Sequence, residues 1–265
     1  MNEGRIGNRM RKSVRWLAGV LFVSWLVSGS VATADSVIGN PNFDNDIDSG
    51  TNQWLDGSGN LTGAWSNPDG THSFLKGYRA GADGVVEDVE GATVYVPTSQ
   101  PGGGTTGLMN GNDSYQQHLT QTVSLTAGAW TLSFALASTF QNADFTTMAT
   151  DLENGVLMLS LAVYQGSGTS GNVVWSLSGG GAANLVSIAN LVPTDATWNT
   201  EERTFKIAED GQYTLEIRMK GDNTIYSSYL LTNVQLAEAV PEPGTWAMLC
   251  GLGLIGGVWY RRRIR

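Results

Sequence analysis

The sequence predicts an all-β protein: an antiparallel β-sandwich between an N-terminal signal helix and a single C-terminal transmembrane helix. Three observations indicate this class. Apolar and polar residues alternate with a period of two in several short segments, as they do in half-buried strands. Glycine-rich stretches separate those segments, and the chain holds 34 glycines. Residues 35–239 contain no long amphipathic helical pattern.

The first 34 residues have the three parts of a secretory signal peptide. An apolar stretch runs from Trp16 to Val31, and the small residues Ala32 and Ala34 occupy the cleavage positions. The basic residues that precede this stretch are Arg5, Arg9, Arg11, Lys12 and Arg15. Cleavage there makes Asp35 the mature N-terminus. Because the basic region is long, an uncleaved membrane anchor is the alternative.

Residues 35–239 form the predicted exported domain, and its composition is acidic. It carries six basic residues against twenty-two acidic ones. Such a surface favours solubility and repels nucleic acid and anionic lipid, so no nucleic-acid partner is expected. Converging carboxylates could also collect Ca²⁺. The single cysteine, Cys250, lies outside this domain, which therefore folds without an internal disulfide.

The first half of the domain alternates loops with short strands. Turn-forming dipeptides between residues 36 and 70 predict loops, with a short first strand over residues 37–43. Two further strands are predicted at residues 74–78 and 92–96. A connector rich in proline, glycine and threonine follows between Pro97 and Gly107, and it is predicted to be either flexible or a long turn.

The alternation is clearest from residue 118 onward. Residues 118–125 and 130–137 each place apolar side chains on one face, with Gln121 as the exception. The Ala127-Gly128 dipeptide between them predicts a turn, and hence a hairpin.

A second hairpin is predicted where Asp210-Gly211 separates residues 204–207 from residues 213–220. In the strand over residues 213–220, Tyr213 and every second residue after it are predicted to face inward. Glu216 and every second residue on either side of it are predicted to face outward. Further strands are predicted at residues 156–164, 173–177 and 229–236.

The C-terminal segment, residues 240–265, has three parts. Val240-Pro241-Glu242-Pro243 comes first, and an uncharged run from Thr245 to Tyr260 follows. As a helix this run would reach about 24 Å, which is short for a bilayer core of about 30 Å. Interfacial rings and snorkelling arginines make up part of the gap. These flanking residues are Trp246, Trp259, Arg261, Arg262, Arg263 and Arg265.

This segment resembles the PEP-CTERM sorting signal of Gram-negative bacteria in the order and spacing of its parts. The resemblance implies recognition by an exosortase, which cleaves near the Pro-Glu-Pro, and delivery to the cell surface or an exopolysaccharide matrix. Because positive flanks stay cytoplasmic, the domain would lie beyond the inner membrane, held by the C-terminal helix until processing. An ordinary short anchor is the alternative.

The part of the chain from Tyr115 to Leu236 resembles carbohydrate-binding-module and galactose-binding-like jelly rolls. The shared phrases include Gln121-Thr122-Val123, Gly211-Gln212-Tyr213-Thr214-Leu215 and Thr232-Asn233-Val234-Gln235-Leu236. In those families an aspartate often stands where Thr232 stands here and helps to hold a structural calcium. The substitution puts that calcium in doubt.

No catalytic residues are predicted. The two histidines, His72 and His118, lack a zinc-binding spacing and are interpreted as surface or loop residues. A nucleophile elbow is missing, and with so many acids a chance carboxylate pair means little. Asp44, Asp46 and Asp48 alternate as in a calcium loop, but the glycine and terminal glutamate of an EF-hand are missing.

Sugar binding would need exposed aromatic rings, and buried packing is the alternative for each candidate. The principal candidates are Trp54, Trp65 and Tyr115, with Tyr78 and Tyr95 after them. The sequence thus predicts an exported, non-catalytic surface or matrix protein with a structural or adhesive role in exopolysaccharide. A lectin-like carbohydrate-binding module and an exported polysaccharide hydrolase are the alternatives.

Overall fold

The computed structural model describes residues 35–43, 64–68, 76–79, 85–87, 93–95, 97, 99–103, 106–109, 117–138, 140–141, 154, 157–179, 181–193, 197–221 and 229–239. These residues belong to one compact unit, Asp35–Ala239. The predicted signal segment, the sorting motif and the anchor lie outside the described residues. No helix among the described residues is long and apolar enough to cross a membrane.

The described chain is almost entirely β-structure, with one 3₁₀ turn at Pro101–Gly103. Its strands are β1 (Lys76–Arg79), β2 (Val85–Glu87), β3 (Thr93–Tyr95), β4 (Thr106–Met109), β5 (Gln117–Leu125), β6 (Gly128–Ser138), β7 (Phe140–Gln141), β8 (Met158–Gln165), β9 (Val173–Ser176), β10 (Val186–Ser187), β11 (Asn199–Ile207), β12 (Gly211–Lys220) and β13 (Tyr229–Glu238). Every pairing among them is antiparallel, so the predicted all-β antiparallel class is confirmed.

Two sheets face each other across one hydrophobic core. The first sheet has the order β1-β4-β13-β6-β11, and the second has the order β10-β8-β12-β5, with β9 also paired to β8. Inward side chains of both sheets form a single buried cluster, including Phe134 and Leu236 from the first and Leu161 and Leu215 from the second. A small third sheet joins β2, β3 and β7.

Both predicted hairpins are wrong, because each pair of strands is divided between the two sheets. β5 pairs with β12, whereas β6 pairs with β11 and β13. The turns at Ala127-Gly128 and Asp210-Gly211 are therefore corners at which the chain crosses from one sheet to the other. A strand that crosses to the facing sheet keeps the same inward alternation, so periodicity alone does not distinguish a corner from a hairpin.

The two corners are built alike and bonded together. Trp130 Nε1 donates to the Thr126 carbonyl at 2.9 Å, and Tyr213 Oη donates to the Glu209 carbonyl at 2.7 Å. The Ala127 amide donates to Asp210 Oδ1 at 2.7 Å. An aromatic residue thus holds each corner, and one carboxylate joins the two.

The predicted first strand over residues 37–43 is wrong: this segment forms no strand and contains a turn at Pro41-Asn42. It still pairs locally with the last strand, because the Val37 amide donates to the Leu236 carbonyl at 2.8 Å. Gln121, the polar exception on the inner face of β5, bonds this segment. Its amide group accepts from the Gly39 amide and donates to the Gly39 carbonyl, at 2.7 and 2.9 Å.

Candidate functional site

The outer face of the second sheet carries a compact patch of polar side chains. Antiparallel register places three residues from each of β5, β12 and β8 side by side. We call this patch the polar face; its three rows are His118, Arg218 and Ser160, then Thr120, Glu216 and Ala162, then Thr122, Thr214 and Tyr164. Eight of these nine positions carry a polar side chain.

Simple alternation puts these residues opposite the core. Leu215 and Ile217 on β12, and Leu161 and Val163 on β8, belong to the core cluster, so their neighbours point to the other face. The sequence predicted this outward orientation for Glu216. Burial was not predicted: Glu216 is 0% exposed, and His118, Ser160 and Tyr164 are buried as well.

Glu216 is the centre of the polar face and accepts three hydrogen bonds. Its Oε1 accepts from His118 Nε2 and from Arg218 Nη2, both at 2.7 Å, and its Oε2 accepts from Tyr164 Oη at 2.8 Å. A carboxylate only accepts, which places a proton on His118 Nε2. Since a buried charge needs such partners, this arrangement keeps the carboxylate ionised in the protein interior.

Burial raises the pKa of the Glu216 carboxyl, but the hydrogen bonds from His118, Tyr164 and Arg218 outweigh it and hold that pKa below its ordinary value. Burial, followed by the bond to the Glu216 carboxylate, raises the pKa of Tyr164 to about 12. Tyr164 therefore keeps its proton at neutral pH, and Glu216 stays negative.

The third row of the polar face forms hydrogen bonds with the loop that follows β8. Thr214 Oγ1 donates to the Gly166 carbonyl at 2.9 Å and accepts from the Gly168 amide at 2.8 Å. Because that hydroxyl proton is used, the Thr122 hydroxyl donates to Thr214 across 2.9 Å. Gly166 and Gly168 both have positive φ, which glycine adopts without strain.

Two buried polar atoms of the first row lack a hydrogen-bond partner: Ser160 Oγ and Arg218 Nε. These residues are direct register partners on β8 and β12. Buried groups without partners are uncommon, because each forgoes the bonds it would make in water. Both atoms can donate a hydrogen bond, but they have almost no exposed surface, so an acceptor reaches them only if the atoms that cover them move.

The structure places Trp65 in the core. Its side chain is 1% exposed, its ring lies 5.2 Å from that of Phe43, and its Nε1 donates to the Asn40 carbonyl at 3.0 Å. Tyr78 is fully buried as well. Neither ring is presented to solvent, so for these two candidates the structure favours the buried-packing alternative.

The structure does not describe the side chains of the remaining sequence candidates, including Tyr95. Trp54, Tyr115 and His72 lie outside the described residues, as do the aspartates Asp44, Asp46 and Asp48. Among the described residues, no group of three or more His, Cys, Asp or Glu side chains could hold a metal ion.

His118 is the site residue that sequence reasoning misplaced. It is buried beside Glu216, not at the surface or in a loop. A signal was present on β12, where an acid and an arginine occupy consecutive outward positions. The partner strand of β12 was not visible, because β5 lies about ninety residues earlier and was predicted to pair with β6.

A family model for the PEP-CTERM protein-sorting motif matches residues 239–263. The predicted resemblance of the C-terminal segment is confirmed, and the motif implies an exported protein that is processed by an exosortase. No curated protein matches the chain.

Several solved structures are similar to part of this chain. A family 61 carbohydrate-binding module in complex with β-1,4-galactotriose is 15% identical, with 78% of this chain and 100% of that chain covered at a TM-score of 0.41. A module of Cellvibrio mixtus lichenase 5A in complex with cellotriose is 14% identical, covering 63% and 99% at 0.30. A Stig cyclase of Fischerella is 17% identical, covering 78% and 100% at 0.39. Similarity of this degree identifies neither a ligand nor an activity.

Proposed function

We propose that this chain is an exported cell-surface or matrix protein of a Gram-negative bacterium, whose non-catalytic β-sandwich has a structural or adhesive role in extracellular polysaccharide. The C-terminal segment anchors it in the inner membrane until an exosortase processes it. The observation that carries this proposal is the position of the sorting motif, which begins at residue 239.

Residue 239 is also where the sandwich ends. β13 is an interior strand of the first sheet and ends at Glu238. The Ala239 amide, one residue later, still donates to the Ala129 carbonyl at 2.8 Å. A cut within or beyond the Pro-Glu-Pro therefore removes no described strand. The geometry fits a folded cargo that is separated from its anchor intact.

Two features of the polar face support a non-catalytic role. Glu216 is held ionised with three donors around it, so it is a poor general acid at neutral pH. It is also fully buried, so a substrate atom does not reach it without displacing a donor.

The sorting proposal is tested on the protein made in its native host. Mass spectrometry of surface protein should find a C-terminus within or near residues 240–243. The same protein from an exosortase-deletion strain, or with Pro241→Ala and Pro243→Ala, should retain Arg265. A surface protein that keeps Arg265 in the wild-type strain, or a reporter fused after residue 239 that stays in the cytosol, would contradict the proposal.

A second function, lectin-like polysaccharide binding, is favoured by the unpartnered Ser160 Oγ and Arg218 Nε. Sugar hydroxyls and uronate carboxylates supply oxygens that accept from such donors. The mature protein is titrated with neutral and uronic-acid polysaccharides. Ser160→Ala should weaken binding several-fold while Ser133→Ala, on the other sheet, leaves it unchanged. Binding that is absent, or equal in both variants, removes this candidate.

A further inference from the structure

Three separate stretches of the chain form hydrogen bonds with the Gln100 side chain, and a fourth bonds to one of them. Tyr78 Oη on β1 donates to Gln100 Oε1 at 2.8 Å. Gln100 Nε2 donates to the Thr106 carbonyl on β4 at 2.7 Å and to Thr232 Oγ1 on β13 at 2.8 Å. Asn42, from the N-terminal turn, completes the group by accepting from Thr106 Oγ1 through its carbonyl at 2.9 Å. We call these five residues the Gln100 clasp.

Four of the five clasp residues are buried, and the Gln100 amide at its centre is fully hydrogen-bonded. Thr232 Oγ1 accepts from Gln100 and donates to the Thr106 carbonyl at 2.9 Å, so that carbonyl uses both lone pairs. Tyr78 and Thr232 are fully buried. The two hydrogens and the oxygen of the Gln100 amide all have partners. A buried polar network is stabilising only under that condition.

This is also the position at which the fold-level resemblance implies a structural calcium, with Thr232 in place of an aspartate. The residues present do not fit that ion. The oxygens that converge here are backbone carbonyls, hydroxyls and amide oxygens, with no carboxylate among the clasp residues. A donating NH₂ group lies among them, 2.7 and 2.8 Å from two of the oxygens that would coordinate a cation. A hard cation needs those lone pairs for itself.

We infer that hydrogen bonds from the Gln100 amide replace a structural cation at this end of the sandwich, so that this end closes without a divalent ion. This property is separate from the proposed function, because it concerns how the domain is held together outside the cell.

The backbone around the clasp is shaped for this contact. Asn40 and Phe43 on one side and Asn233 on the other have positive φ, which costs non-glycine residues some strain. Gly107 leaves room for Tyr78, since a Cβ there would lie 2.6 Å from its ring. The Val234 amide, two residues after Thr232, donates to the Pro41 carbonyl at 3.0 Å.

The consequence is a link between the two ends of the exported domain. The turn at residues 40–43 follows the predicted mature N-terminus, and β13 directly precedes the sorting motif. The clasp joins them through hydrogen bonds. The sandwich is therefore complete only once its last strand has been exported.

The first test is made on the unaltered protein by NMR. The side-chain NH₂ of Gln100 should exchange with deuterium at least ten-fold more slowly than that of Gln212, which is exposed on β12. Equal and immediate exchange of both groups would overturn the inference.

The second test is thermal unfolding of the full chain in calcium and in chelator. The melting temperature of the wild type should be the same in both. A calcium-dependent rise that disappears in the Asp44→Asn, Asp46→Asn, Asp48→Asn variant places the ion at those aspartates and leaves the clasp intact. A rise that persists in that variant overturns the inference.

The Gln100→Glu variant tests the amide itself. A carboxylate has the same shape but no NH₂ donors, so the variant should melt roughly 5–10 °C below the wild type in chelator and recover part of that loss in calcium. Gln100→Met should show the loss without recovery. A Gln100→Glu protein as stable as the wild type in chelator would contradict the inference.

Discussion

The polar face and the Gln100 clasp are both buried polar networks on the outer faces of the sandwich, but one is built from charged groups and the other from neutral groups. The polar face is charged: a glutamate at its centre is held by an arginine, a histidine and a tyrosine. The clasp is neutral: an amide, hydroxyls and backbone carbonyls bond one another.

They also differ in completeness. Every hydrogen-bonding atom of the Gln100 amide is used, whereas Ser160 Oγ and Arg218 Nε on the polar face are not. A neutral network of this kind costs less desolvation and responds little to pH. A charged network with unused donors costs more. The contrast separates a satisfied neutral network from an unsatisfied charged one, and the lectin-like role proposed for the polar face depends on that difference.

The largest expected effect comes from removing the charge at the centre of the polar face. Glu216→Gln leaves Arg218 without its buried counter-charge and places an amide hydrogen toward a donor. We expect the free energy of unfolding in urea at pH 7 to fall by about 3 kcal/mol. Glu201→Gln is the matched control, because Glu201 pairs with the more exposed Arg203 on edge strand β11 and such pairs contribute at most about 1 kcal/mol. Equal losses in the two variants would erase the distinction between a buried centre and a surface pair.

The second largest expected effect is the different response of the two networks to acid. The folded-state pKa of Glu216 is depressed below 4.5. Its contribution is therefore fully present above about pH 4.5 and is lost as the pH falls through the lower folded-state value. Below about pH 5 the difference in unfolding free energy between wild type and Glu216→Gln should shrink as the pH falls.

The clasp provides the comparison for this titration. The loss caused by Gln100→Met should stay constant over the same range, since none of the five clasp residues titrates there. Urea unfolding of both variants at matched ionic strength measures the two trends. Two parallel trends would mean that the polar face is not held by an ionised Glu216.

The inward faces of the sandwich could be predicted from sequence because they depend on local periodicity. Leu132, Phe134 and Leu136 on β6, and Leu215 and Ile217 on β12, point into the core as their alternation indicates. The sorting motif could also be predicted from sequence, because its parts are contiguous in the chain. These features need no knowledge of which strands pair.

Both polar networks depend on pairings that no local pattern contains. His118 reaches Glu216 only because β5 crosses a corner instead of forming a hairpin with β6. Gln100 lies in a connector that its composition marked as flexible, and its partners are 6 to 132 residues away. A corner and a hairpin share the same turn residues, so the sequence left the sheet assignment undetermined.

The smallest expected effect compares two buried serines, and it tests whether the polar face is incomplete. Ser138 Oγ donates to the Pro193 carbonyl at 2.8 Å, whereas Ser160 Oγ has no partner. Ser138→Ala should lower the free energy of unfolding by about 1 kcal/mol, and Ser160→Ala should leave it unchanged or raise it by a few tenths, about 0.3 kcal/mol. Since the two residues are almost equally buried, burial does not account for a difference between them. A loss at Ser160 as large as that at Ser138 would show that its hydroxyl is bonded within the protein, and the argument for a binding role at this face would fail with it.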